Sequence, residues 1–235
     1  MLDRSIPIIK MRKITILIAA FMLAVSCATV QEPTLQTGDL VFVGLPMEYS
    51  LENDGDTMDS AIVAATGDDE LNMIHVAIAE VDENDAVWII DATIKHGVDR
   101  HPLSVFLEDF TLKDGSYPEF VIKRLGDNSN AEQWVENAKK YLGLPYDVAF
   151  QPTESAFYCS ELVETSYLSE DGTRLFHNAP MNFKNADGEF PVYWEQLFAR
   201  IDSSIPQDEP GTNPQAMSKE TCLVTVEGID ITALK

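Results

Sequence analysis

A thiol, Cys159, stands where the run FYCSELV (157–163) passes from apolar residues into a helical pattern. A cysteine attacks a carbonyl as its thiolate, and a helix start favours that anion because its first N–H groups are free. Thr153 or Ser155 is expected to cap the helix, which puts Cys159 in or just after the first turn. Such chemistry also requires a base, and the chain offers His75, His96, His101 and His177. His75 lies inside the apolar run NMIHVAIAE (72–80). Strand alternation places it with Ala77 and Ala79, small neighbours that leave room for a thiol, and puts Ile74, Val76 and Ile78 on the other face. His96 and His101 flank a loop containing Gly97 and read as surface residues; His177 reads as a loop residue.

A base histidine is held in one tautomer by an acceptor. Asp91 follows the apolar residues Trp88-Ile89-Ile90 and fits that role. If Val81 pairs with Asp85 across a turn centred on Glu83, His75 falls directly opposite Asp91, with Cβ atoms about 5 Å apart. Glu80 is the weaker candidate, because alternation turns it to the Ile78 face. A buried cysteine, a core histidine and a strand-end aspartate would give the same pattern, and these residues alone do not separate the two readings. A disulfide between Cys159 and Cys222 is also compatible with the spacing in an oxidising compartment. The chain has no CxxC pair or Cys/His cluster of zinc type, so no metal is expected, and no cofactor either.

These residues need elements to position them. LVFVGL (40–45) predicts a strand, and Asn72 to Glu80 with Ala86 to Ala92 predict a hairpin turning through Asp82–Asp85. Gly97–Arg100 and Phe120–Leu125 predict two more strands, and Leu223–Ile229 an edge strand. Helices are expected over Thr57–Ala65, Pro102–Asp109, Ala131–Leu142, from about Ala156, and over Val192–Arg200. The stretch 48–56 is polar, 170–190 reads as loop and 201–220 as a surface wrap. Antiparallel strands beside a few helices make an α+β domain. No GxGxxG follows a strand, which excludes a Rossmann reading.

The N-terminus predicts export. Arg12 and Lys13 precede an apolar run of twelve residues, Ile14 to Val25, interrupted only by Thr15 and too short for a membrane span, and Ser26-Cys27 follow. LAVSC is similar to the lipobox of bacterial lipoproteins, with Ala24 where leucine is usual, so Cys27 is the expected lipidated first residue. A plain secretory signal or a buried helix is the alternative, and either Met1 or Met11 could start the chain. The expected organisation is a signal over 1–26, a linker over 27–37, a catalytic domain over 38–200 and an extension over 201–235 packing on it. Four of the 16 bases and one of the 39 acids fall in the signal, leaving 12 and 38, a net charge of −26. That surface repels nucleic acid and tolerates cationic ligands.

The ordered set TGDLVFVG (37–44), DSAIVAAT (59–66), MIHVAIAE (73–80), WIIDATIKHGV (88–98), YLGLPYDVAF (141–150), FYCSELV (157–163) and PVYW (191–194) resembles the YiiX-like branch of the circularly permuted, NlpC-type papain-like amidases. These are in turn similar to lecithin:retinol acyltransferase. The resemblance implies a permuted papain-like fold, an antiparallel sheet packed with helices. It implies Cys159 as nucleophile, His75 as base, an acidic third member at Asp91, and Tyr146 as a pocket tyrosine near the substrate or oxyanion. The expected reaction is hydrolysis of an amide, in a small peptide (including cell-wall peptides) or an acyl-amide. A lipid-directed acyltransferase or esterase sharing the thioester step, and a lipid-anchored binding module without turnover, are the alternatives.

Overall fold

The computed structural model describes residues 33–46, 57–67 and 71–234. The signal, Cys27 and the polar stretch 48–56 lie outside the described residues. Six strands form one antiparallel sheet in the order β4-β3-β2-β1-β5-β8: β1 Leu40–Pro46, β2 Leu71–Val81, β3 Val87–Thr93, β4 Gly97–Pro102, β5 Glu119–Leu125 and β8 Leu223–Thr225. The helices are α1 Met58–Thr66, α2 Leu103–Asp109, α3 Ala131–Lys139, α4 Cys159–Ser166, α5 Val192–Arg200 and α6 Pro214–Ser218. Thr57 caps α1 as expected, accepting from the Ser60 amide at 3.3 Å.

The sheet is covered on both faces, which is why LVFVGL reads as an unbroken apolar run. Leu40 and Phe42 pack with Trp134 and Val135 of α3, Leu162 of α4 and Tyr167 just past its end on one face. Val41, Val43 and Leu45 pack with Leu103, Phe106 and Leu107 of α2 on the other. A third cluster joins Ala61 of α1 to Phe150, Met181, Phe183, Trp194 and Phe198. Asp39, fully buried at the start of β1, is pinned by Arg124 of β5, whose Nε and Nη2 donate to its carboxylate at 2.6 and 2.8 Å. The aspartate of the TGD piece is therefore a structural anchor.

Several expectations are corrected. The helix over 131–142 stops at Lys139, because the chain turns to dock on β4. The Val98 amide donates to the Leu144 carbonyl, and the Gly143 amide to the Val98 carbonyl, both at 2.8 Å. Gly97, at φ +69°, is required there, since a Cβ would run into the Leu144 carbonyl oxygen. The loop 170–190 contains β6, Ala179–Pro180, paired with β7, Pro210–Gly211. Residues 201–220 are not merely a surface wrap: Thr212, Gln215 and Ser218 are buried, and Gln215 accepts a 2.6 Å hydrogen bond from the Met73 amide. Cys159 and Cys222 are both free thiols. Among the described residues no helix is long and apolar enough to cross a membrane.

Candidate active site

The site forms where two strands part. The β2–β3 ladder runs only from Ile78↔Ile90 to Val81↔Val87, although β2 extends back to Leu71 and β3 on to Thr93. On its other side β2 carries a bulge: Val43 pairs with His75 but Gly44 pairs with Met73, leaving Ile74 as the extra residue. Alternation consequently fails at this point, and Ile74 joins the cluster of Ala77 and Ala79 instead of opposing it. Around His75 the neighbours are larger than expected, with the Phe110 and Phe106 rings at 4.8 and 6.3 Å between centroids.

The hairpin register also differs. Val81 faces Val87 rather than Asp85, so the ladder continued by one pair sets Asp91 opposite Ala77 and diagonal to His75. The shift is even, so both side chains keep the same face. His75 Nε2 and Asp91 Oδ2 lie 2.9 Å apart, with both residues buried. Glu80 turns away, held by Arg100 Nε at 2.6 Å and Lys139 Nζ at 2.8 Å.

Cys159 is the first residue of α4. The N-cap is Tyr158, not Thr153 or Ser155, and its amide donates to Glu161 Oε2 at 3.4 Å. Thr153 and Ser155 bond each other in the preceding loop. The thiol thus sits closer to the free N–H end than expected, on a helix held from behind. Tyr158 Oη accepts from the Thr212 amide at 3.1 Å, and Thr212 Oγ1 donates to Ser160 Oγ at 2.8 Å.

Cys159 and His75 line one cleft of about 230 Å³, close enough for the charge at the thiol to act on the imidazole. Burial pulls the His75 pKa down, but the charge at Cys159, the bond to Asp91 and the Asp91 charge outweigh it and push the value up to about 10. The imidazole therefore holds its proton through neutral pH. Because the folded value lies above an unfolded one near 6.5, the stabilisation is complete below about pH 6.5 and is lost as pH rises towards 10. In C159S the largest upward contribution disappears, and the His75 midpoint followed by NMR should drop well below 10. An unchanged midpoint would show that Cys159 does not govern the imidazole.

Tyr146 lines this cleft and also a narrower slot of about 60 Å³ on the other side of Cys159. Burial first, then the charge at Cys159, raises its phenol pKa well above the ordinary value, so it stays a hydrogen-bond donor. It also packs edge-on to Phe150 at 6.3 Å. The slot is apolar, walled by Ile62, Phe150, Met181, Phe183 and Trp194, whereas the cleft carries Asp59, Lys95 and Asp109.

Of the remaining histidines, His96 is exposed and bonds Asp109 at 2.8 Å, and His177 is exposed beside Glu220. His101 is not a surface residue: it is 5% exposed, with its ring parallel to Phe106. Strand β4 runs two residues past its expected end, and His101 pairs with Ile89 on the Asp91 face. The β3–β4 register would have placed it there, had DRHP been read as strand.

An antiparallel sheet whose strand histidine meets a cysteine at a helix start defines the papain-like class of cysteine hydrolases. The model of the family described as permuted papain-like amidase enzyme, YaeF/YiiX, C92, matches residues 34–227, and the chain belongs to this family. It is 31% identical over 115 residues to Uncharacterized protein YiiX of Escherichia coli strain K12, a match covering 48% of this chain and 56% of that protein. The crystal structure of metalloprotein yiiX from Escherichia coli O157:H7 superposes with a TM-score of 0.61 at 25% identity, over 81% of this chain and 96% of that one. Among the described residues of this chain, no three His, Cys, Asp or Glu side chains come together to hold a metal ion.

Proposed function

We propose that this protein hydrolyses an amide bond through Cys159, His75 and Asp91, and that the amide belongs to a cell-wall peptide. The observation that carries the reading is a cysteine at a helix start that shares one cleft with a histidine, which an aspartate holds at 2.9 Å. The Cys159 sulfur attacks the carbonyl carbon and the carbonyl electron pair moves to oxygen. The Cys159 amide and the Tyr146 hydroxyl stabilise that oxyanion. The C=O bond re-forms, the C–N bond breaks, and the His75 imidazolium gives its proton to the departing nitrogen. Water then adds to the thioester carbon as His75 takes its proton, and collapse releases the acid and restores the thiolate. Asp91 holds the ring through both halves.

The apolar slot favours a second reading, in which the acyl group is a lipid chain and the enzyme an esterase or acyltransferase. Assaying peptide amides, muropeptides and fatty-acyl esters side by side decides between them. Turnover of esters alone would overturn the amide assignment. Export with a lipid on Cys27 is part of the proposal, because it puts the enzyme beside the cell wall. C27S should release the protein from the membrane fraction without loss of fold, and intact-mass analysis of the wild-type membrane form should find a lipid adduct on an N-terminal Cys27. An unmodified N-terminus would leave ordinary secretion.

A further inference from the structure

Asp91 uses one carboxylate oxygen on His75. The other, Oδ1, is buried and has no hydrogen-bond partner among the described residues. His101 Nε2 lies 3.9 Å from it, and neither His101 ring nitrogen has a hydrogen-bond partner among them either. A histidine placed only to fill space would leave two buried ring nitrogens uncompensated, a cost that phenylalanine or leucine would avoid. On its far side, His101 Nδ1 lies 3.6 Å from Asp99 Oδ2, which is half-exposed. The groups run from the thiol to the surface in the order Cys159, His75, Asp91, His101, Asp99. The rings nearest His101 include Phe106 of α2 and His96 of the β3–β4 turn, whose ring centre is 6.0 Å away and whose Nε2 is bound to Asp109 of α2.

We propose that His101 is a positioning residue, which holds Asp91 from behind by donating from Nε2 to Oδ1 and so keeps Oδ2 aimed at His75. Small closure of the 3.9 Å separation makes that bond, and Asp99 accepts from the opposite nitrogen when the ring is doubly protonated. This role rests on the Cys159–His75 reading above. It adds a requirement that reading lacks, since a pair backed by Asp91 alone would not respond to a change at His101.

The test follows two properties that need no substrate: the His75 titration by NMR, and the rate of Cys159 alkylation by iodoacetamide across pH. H101F keeps a ring against Phe106 but removes the donor. It should lower the His75 midpoint and slow alkylation at neutral pH by roughly 10- to 100-fold, the scale of losing the hydrogen-bond partner behind a metal-bound histidine. H101Q carries an amide near the Nε2 position and should recover most of the effect, whereas H101N, whose amide matches Nδ1, should not. A folded H101F with the wild-type titration and alkylation profile would overturn the role. If H101F fails to fold, H101Q and H101N decide: a clear advantage for glutamine supports it and equal behaviour overturns it. A wild-type Cys159 that alkylates no faster than a free thiol would sink the activated nucleophile. The His75 titration would still report on His101 separately.

Discussion

C159A should fold as the wild type does and lose turnover by roughly 10⁴- to 10⁶-fold, as nucleophile deletions in hydrolytic triads do. Ser160 is the neighbouring hydroxyl, but it is fully buried and accepts from Thr212. H75A should cost about as much, because a thiol without its imidazole loses both the charge partner and the proton donor for the departing amine. The double variant should be little worse than either single one, since the two residues act as a unit. kcat/KM on one amide substrate, with circular dichroism to verify folding, measures all three. A folded C159A that kept a substantial share of activity would move the chemistry away from this cysteine.

D91N should lower the rate by roughly 10- to 10⁴-fold, the upper end applying if its main role is to choose the tautomer. The amide can present its NH₂ where His75 Nε2 needs an acceptor, and at 2.9 Å in a buried site water cannot easily substitute. D91E keeps an acceptor but adds a methylene to a packed position, so it should fall between D91N and wild type. E80Q is the matched control. Its carboxylate pairs with Arg100 and Lys139, so it should leave kcat/KM nearly unchanged. The stability cost should be at most about 1 kcal/mol, because these pairs are partly solvent-screened. Full activity in folded D91N together with a large loss in E80Q would reassign the third member.

Period-two alternation put Asp91 and His75 on one face of a hairpin, and that conclusion survived a register error of two residues. Alternation reports parity, and any even slip preserves it. The pairing itself was set by the turn. Asp85 adopts a left-handed conformation at φ 59°, its amide donates to the Asp82 carbonyl and the Asp82 amide donates to the Ala86 carbonyl. Several conformations suit Asp82-Glu83-Asn84-Asp85, and the choice between them depends on how both strands pack.

Local chemistry alone thus determined that a cysteine stands at a helix start, that a histidine interrupts an apolar strand, and that an aspartate shares its face. The first two depend on residues adjacent in the chain, and the third only on the parity of a local hairpin. Tertiary structure decided what surrounds them. The bulge at Ile74 depends on the pairing of β2 with β1, some thirty residues earlier. The burial of His101 depends on α2 folding back over β4, which places Phe106 against its ring. The support for Met73 comes from Gln215, 142 residues away. Such contacts leave no periodic trace in the sequence, because each pairs segments whose separation is free to vary, and only packing brings them together.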